Sequence, residues 1–457
     1  CALPISKKSA QKKLVSIKKS PKSLGNPMKG RDVIVKALGN EGVKVIFGYP
    51  GGTSMEIHQG LTLAPKIRMV LPRHEQGGAF AAGGYARATG EVGVCMATSG
   101  PGATNLITGI IDAKMDSIPI VAITGQVAST LLGSDAFQET DIMGATFPLV
   151  KHSYMIQNVA EIPEVIHNAF HIARTGRPGP VLVDIPKNIQ QQEGIADFNV
   201  TFDCPSYRPN LKPSVLQCKK AAHAIQTAKR PIIYAGGGIV CSGASQELRA
   251  LVKKTGIPVT TTAMGLGIFP SNDPLSLRML GMHGAVYANI AINHADLVIA
   301  AGVRFDDRVT GKLAEFCKDA QIIHIDIDPT EINKNILVDI PIQGDVKQAL
   351  KIIHGYVEPK KDIKPWIKQL NDWKKEFPLE FKPKKGEIVP QSVISEVNKL
   401  SDDDAIFSVG VGQHQMWAAQ FLDFDMPNNW LCSSGLGAMG FGLPAAMGAQ
   451  VAFPNRQ

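Results

Sequence analysis

The sequence predicts an α/β protein of three doubly wound parallel-sheet domains, the third of them truncated. Two patterns and the length lead to this. Short runs that are apolar throughout recur along the chain, and such runs mark strands buried on both faces of a parallel sheet. Glycine turns and helical stretches separate them in a βαβα order, which places helices on both faces. At 457 residues the chain exceeds one ordinary domain and fits two or three.

Residues 1–29 come first and read as a basic disordered tail or a transit-like segment. They hold eight lysines and no acid, which equals the whole net charge of +8, so the rest of the chain is neutral on balance. A nucleic-acid partner would need basic charge on a folded surface with aromatics or a motif, and this segment has neither. Transit peptides prefer arginine to lysine, so the expected location is cytoplasmic, with a plastid as the alternative if this segment is a transit peptide. Residues 30–190 form the first unit, with strands expected at 43–47, 67–71, 92–97, 119–123 and 181–185. A polar linker spans 190–213. The second unit, 211–356, has strands expected at 231–235, 295–301 and 321–328. Residues 357–387 are rich in Pro and Lys, hold Trp366 and Trp373, and read as a second linker with helix. The third unit, 388–457, begins with a buried strand at 405–412 that opens into a helix at Gln413.

Hydrophobic residues make up 44% and charged residues 19%, as in a globular protein with ample core. No apolar run reaches the length of a membrane span. Seven scattered cysteines without a Cys-x-x-Cys pair point to reduced thiols, not to disulfides or structural zinc.

Chemistry-bearing residues cluster where expected strands end. Gln413, His414, Gln415, Met416 and Trp417 crowd amide, imidazole, thioether and indole groups at one strand end, which suits a pocket better than a core. Glu75 follows the second strand and opens a helix; a carboxylate in a first turn also simply complements the helix dipole. Gly48 to Thr53 and Ser99 to Asn105 are glycine turns, the second with Asn and Thr available for capping. Gly236, Gly237 and Gly238 end a strand in a way that lets a pyrophosphate approach the backbone. Arg304 and Arg308 suit phosphate or a ring face, and Asp326 suits ribose hydroxyls or an ordinary turn equally.

The stretch 413–417, together with residues 98–110 and 304–308, resembles the acetolactate synthase family of thiamine-diphosphate (ThDP) enzymes from about residue 30 to residue 457. The resemblance implies three domains of the ThDP enzyme type: pyrimidine-binding, FAD-binding, and the start of a diphosphate-binding domain. It implies catalytic roles for Glu75, Gly52, Gln138 and Lys187. Glu75 would bind the aminopyrimidine ring and promote loss of the thiazolium proton. Gly52 would leave its backbone free beside the reacting centre, and Gln126 would line the same pocket. Tyr49, Pro50, Val411, Gly412, Gln413, His414, Gly437 and Met439 would complete the ThDP contacts. FAD contacts would be Arg177, Gly236, Gly237, Gly238, Met282, His283, Gly302, Arg304, Asp306, Arg308, Asp326, Ile327, Asp345 and Val346.

The implied activity is decarboxylation of pyruvate and joining of the remainder to a second 2-keto acid, pyruvate or 2-ketobutyrate, at the start of branched-chain amino-acid synthesis. FAD would be structural, because that reaction is redox-neutral. A homodimer or tetramer with a regulatory small subunit is implied, without nucleic acid or membrane. Glyoxylate carboligase and pyruvate oxidase are the nearest alternatives, and the first lacks the glutamate that Glu75 supplies. A non-catalytic nucleotide-binding protein is the alternative of another class. Three departures stand out. Gly83 replaces the family's usual glutamate, Ala128 replaces a proline of plant and fungal members, and the Gly-Asp-Gly…Asn metal motif falls beyond Gln457. Hence no Mg²⁺ ligand is assigned within this chain. Since that proline borders the channel for sulfonylurea herbicides, Ala128→Pro should strengthen their inhibition of the full-length enzyme, and equal inhibition of both forms would refute the assignment.

Overall fold

The computed structural model describes residues 25–360 and 362–457. The basic segment up to residue 24, Cys1 included, lies outside the described residues. Among those described, no helix is long and apolar enough to cross a membrane.

A short antiparallel pair, β1 (Met28–Lys29) with β8 (Glu193–Gly194), closes the two ends of the first unit. Between them lie β2 (Val45–Gly48), β3 (Arg68–Val70), β4 (Gly93–Ala97), β5 (Ile120–Gln126), β6 (His152–Met155) and β7 (Val181–Pro186). They form one fully parallel sheet in the order β3-β2-β4-β5-β7-β6. The five expected strands are present with ends shifted by up to three residues. β6 was not expected: it is a partly exposed edge strand, and His-Ser-Tyr-Met has no continuous apolar run.

The second unit contains β9 (Pro231–Ala235), β10 (Val259–Thr261), β11 (Ser276–Met279), β12 (Leu297–Ala301), β13 (Gln321–Asp326) and β14 (Ile340–Gln343). Their order is β11-β10-β9-β12-β13-β14, again all parallel. β10, β11 and β14 escape the sequence because they are three or four residues long and carry Thr, Ser or Pro. Pro341 fits because β14 is an edge strand and one side needs no donor.

The reading of 357–387 as a linker needs correction. Helix Lys364–Glu376 buries Trp366 and Leu370 in the core of the second unit. The Trp366 indole donates to the Pro231 carbonyl at 3.0 Å, which satisfies the polar edge of a buried ring. The strand expected at 405–412 also contracts, to β15 (Phe407–Ser408), paired in parallel with β16 (Trp430–Leu431). Gly412 turns out of the extended run at φ 156° to start helix Gln413–Phe421.

The third unit docks on the first along helix Gly442–Ala452, which packs on helix Glu75–Thr89 with backbones nearly in contact. A Cβ at Gly84 would stand 2.2 Å from the Ala445 carbonyl oxygen, and one at Gly448 would stand 2.0 Å from that of Ala81. Phe80 and Phe441 meet edge to face beside this contact, 5.5 Å between ring centres. Gly84→Leu should therefore force the helices apart and lower the melting temperature, at a cost of about 1–3 kcal/mol or more. Gly39→Ala, in a helix with open space around it, should be neutral or stabilising by up to about 1 kcal/mol. Thermal unfolding followed by circular dichroism checks both.

Candidate active site

Strand order reverses between β2 and β4 in the first sheet and between β9 and β12 in the second. Neighbouring strands there send their connections to opposite faces, which opens a crevice beyond their carboxyl ends. Both groups of chemistry-bearing residues sit at these crevices.

In the first unit, the turn after β2 is stapled to the turn after β4. Thr53 Oγ1 lies 2.9 Å from Thr98 Oγ1 and accepts from the Ser99 amide at 2.9 Å. Glu75 is the first residue of helix Glu75–Thr89, capped by His74 Nδ1, which accepts from the Gln76 amide at 3.1 Å. The Glu75 carboxylate is half-buried and accepts from Asn105 Nδ2 at 3.0 Å. Asn105 was expected as a cap; it instead ends its helix, Pro101–Asn105, and holds Glu75. Gln138 adopts φ 61° and packs its backbone against the Gly100 turn, so it joins the same edge. Lys187 starts helix Lys187–Gln191, in which Gln190 Nε2 donates to the Thr53 carbonyl at 2.7 Å. Asn188 of that helix accepts from the Ser129 amide at 2.8 Å, tying in the loop of Ala128. The Glu56 carboxyl nearby is held below its ordinary range, first by the Gln191 amide, then by Arg31 and Lys187.

Gly52 faces open space: a Cβ there meets nothing within 4 Å in the protein, so packing within the chain does not itself require glycine at this position. The crowded position is Gly51, where a Cβ would stand 2.5 Å from Thr98. Gln126 does not line a pocket. It is buried, with Nε2 spent on the Thr140 carbonyl and Asp184 and Oε1 accepting from the Val127 amide. Tyr49 and Pro50 are exposed at the edge. Ala128 stands at φ −56°, ψ 141°, a conformation proline adopts.

At the second crevice lies a cavity of about 540 Å³, in the usual range for a small-molecule site. Gly237, Gly238, Met282, His283, Gly302, Arg304, Asp306 and Arg308 line it from the turns. Asp326, Ile327, Asp345 and Val346 line it from the ends of β13 and β14, and Arg177 reaches it from the first unit. Gly236 does not line it. The glycines also have a nearer role than a pyrophosphate. Gly302, at φ 62°, would place a Cβ 2.6 Å from Gly238 Cα, so the two turns can touch only without side chains. Gly236 and Gly238 donate their amides to the Ala301 and Gly302 carbonyls, at 3.0 Å each. Arg177 is committed as well: it donates to Ser117 Oγ at 2.9 Å, Asp328 at 3.0 Å and Glu331 at 2.7 Å. Burial pushes the Asp326 carboxyl up to about 6.

Sequence reasoning missed Thr262 and Trp430. Both line this cavity, and Thr262 Oγ1 and Trp430 Nε1 are buried without a protein partner. Neither stands in a motif, so no sequence signal marked them. Val411 and Gly437 line the cavity from the third unit, where Gly412 adjoins it, whereas Gln413, His414 and Met439 are exposed. No hydrogen bond among the described residues joins them to Glu75. Nor, among those residues, does any group of three His, Cys, Asp or Glu side chains stand ready to hold a metal. Gly83 lies over Arg87, a Cβ there being 3.0 Å from Nη1, a buried donor without a partner.

Two parallel sheets with reversal crevices, one edged by a held glutamate and one by a large cavity, define a cofactor-dependent α/β enzyme. Thiamine pyrophosphate enzyme models match each unit: the N-terminal TPP binding domain over 28–145, the central domain over 218–353 and the C-terminal TPP binding domain over 410–457. The chain is 54% identical over 436 residues to acetolactate synthase 3, chloroplastic, of Brassica napus, covering 94% of this chain and 67% of that protein. Against acetolactate synthase, chloroplastic, of Arabidopsis thaliana it is 53% identical over 436 residues, 94% of this chain and 65% of the other. For acetolactate synthase 1, chloroplastic, of Oryza sativa subsp. japonica the figures are 54%, 94% and 67%. The chain thus spans about two thirds of the length of these relatives, and it belongs to the acetolactate synthase family.

Behind the first crevice, Asp184 is fully buried and accepts from Thr124 Oγ1 at 2.6 Å and Gln126 Nε2 at 3.0 Å. Through Gln126 it fixes Thr140 and hence the loop that carries Gln138. Burial pushes its carboxyl up to about 6. A carboxyl raised in this way binds its proton more tightly in the folded than in the unfolded chain. Its contribution to stability is therefore present at low pH and is lost between about pH 4 and pH 6. Asp184→Asn should flatten that part of the stability–pH curve and leave the protein relatively more stable at pH 7, by an amount on the order of 1–3 kcal/mol. Urea unfolding of both forms at pH 5 and pH 7 measures the difference.

Proposed function

We propose that this chain is the catalytic part of an acetolactate synthase. It would condense pyruvate, with loss of carbon dioxide, with a second 2-keto acid, the first common step of branched-chain amino-acid synthesis. The observation that carries the reading is Glu75, half-buried at the first crevice with its carboxylate held by Asn105. Thiamine diphosphate, when bound, supplies the carbanion chemistry by which a 2-keto acid loses carbon dioxide and is joined to another. Glu75 would hold a proton at the cofactor's aminopyrimidine nitrogen, and Asn105 would fix the direction in which that carboxylate points. Gln138 and Lys187 would line the substrate side, and Gly52 would leave the backbone open toward the reacting centre.

FAD fits the second cavity. A crevice at a strand-order reversal, turns that exclude side chains, and two unpartnered donors, Thr262 Oγ1 and Trp430 Nε1, suit a dinucleotide with a polar planar ring. Magnesium would neutralise the diphosphate through hard oxygen ligands, and none is assigned among the residues described here. The exposure of Gln413, His414 and Met439 in a single chain supports a site completed by a second copy, hence a homodimer or tetramer. A regulatory small subunit is proposed from family membership alone. The relatives are named chloroplastic, which favours a plastid location over a cytoplasmic one for the lysine-rich segment.

An assay for acetolactate from pyruvate with the full-length protein, omitting ThDP, magnesium and FAD in turn, tests the whole reading. In that assay Glu75→Gln should lower turnover at least about 100-fold while flavin content stays unchanged, because an amide cannot share the proton. Near-normal turnover would sink the assignment.

A further inference from the structure

Arg87, Asp112 and Asp116, the last at the wall of the large cavity, have been given no chemical role so far, yet their side chains are only 3%, 2% and 0% exposed. Arg87 Nη2 donates to Asp112 Oδ2 and to Asp116 Oδ2, at 2.9 Å each. The guanidinium also lies over the Phe441 ring, 4.8 Å from its centre. Two carboxylates around one cation leave an anionic charge to be compensated in the interior, and burial costs are met only when the remaining lone pairs are satisfied. The third unit meets that need at Asp116, while Asp112 Oδ1 and Arg87 Nε and Nη1 stay buried without a partner. The Ser434 amide donates to Asp116 Oδ2 at 3.0 Å and the Gly435 amide to Oδ1 at 2.7 Å.

These two amides open the 433–437 loop, and the Ala438 amide closes it by donating to Ser433 Oγ at 2.8 Å. Ser433, Ser434 and Gly437 wall the large cavity, and Met439 follows two residues on. On the other side, Arg87 stands on the helix that begins at Glu75, about 18 Å further along its axis. A rigid helix and a buried carboxylate thus connect the glutamate to the loop. We propose that Asp116, held by Arg87, is a positioning residue that sets the 433–437 loop, and with it Gly437 and Met439, against the first unit. The inference rests on reading Gly437 and Met439 as ThDP contacts.

The test uses the full-length protein in the forms Asp116→Asn, Gly435→Ala and Met439→Ala. ThDP affinity is measured by calorimetry at saturating magnesium, flavin content by absorbance, and stability by thermal unfolding. An asparagine turns an NH₂ toward one of the two loop amides and deprives Arg87 of an anion. Asp116→Asn should therefore weaken ThDP binding about tenfold or more in the folded protein. Gly435→Ala leaves the buried charges intact but would place a Cβ 2.8 Å from that of Met115, pushing the loop outward. It should give the same signature, and it decides the matter if Asp116→Asn does not fold. Lower melting temperature with unchanged ThDP affinity in the folded protein would overturn the proposal. If Met439→Ala also leaves ThDP affinity unchanged, the underlying assignment of the loop fails first. If Met439→Ala alone weakens binding, only the role of Asp116 fails.

Discussion

Parallel pairing makes every strand of a sheet end at the same edge, and the rest of this structure depends on that constraint. In both six-stranded sheets the loops that carry polar chemistry are gathered at the carboxyl edge, however far apart they lie in sequence. The edge becomes a crevice only where strand order reverses, because there the following helices leave on opposite faces. The turns after β2 and β4 meet at one reversal, those after β9 and β12 at the other. The second is so tight that Gly238 and Gly302 touch through backbone atoms.

The crevices would be of little use without fixed relations between units, and these are secured by buried polar groups as much as by apolar packing. Arg177 leaves the first unit to bind Asp328 and Glu331 of the second. Arg278 of the second unit binds Asp423 of the third at 2.6 Å, and Gln420 reaches back to the His283 carbonyl at 2.8 Å. Asp116 holds the third unit to the first. Each contact needs partners from both sides to satisfy a charge or donor, so each favours one relative placement where a purely apolar contact would tolerate sliding. The glycine-lined contact between helices Glu75–Thr89 and Gly442–Ala452 adds the steric half of that specification.

Glu75 shows how a residue with a bland local explanation acquires a chemical one. Its place in a first helical turn would satisfy the helix dipole anywhere on the protein surface. What separates it from such a carboxylate is Asn105, from a different turn, and the half-buried crevice into which both project. Neither feature is a property of the helix.

Continuous apolar runs and glycine turns determined the doubly wound class, the three units and the strand ends where polar motifs cluster, since burial on two faces demands such runs whatever the loops do. Most individual site residues followed instead from the family resemblance. The motif residues were legible because local backbone needs confine their types: glycine where turns close, and a polar residue where a helix starts. Short edge strands were not legible, as β6, β11 and β14 are held by pairing rather than by composition. Likewise Trp366 looked like part of a linker until the core of the second unit buried it. Tertiary structure alone decided that Asn105 holds Glu75 instead of capping a helix, and that Gln126 faces Asp184 instead of a pocket. It alone made Thr262 and Trp430 cavity residues. Each of those outcomes depends on a partner 15 or more residues distant or on a wall built by another unit, and no local pattern encodes such a neighbour.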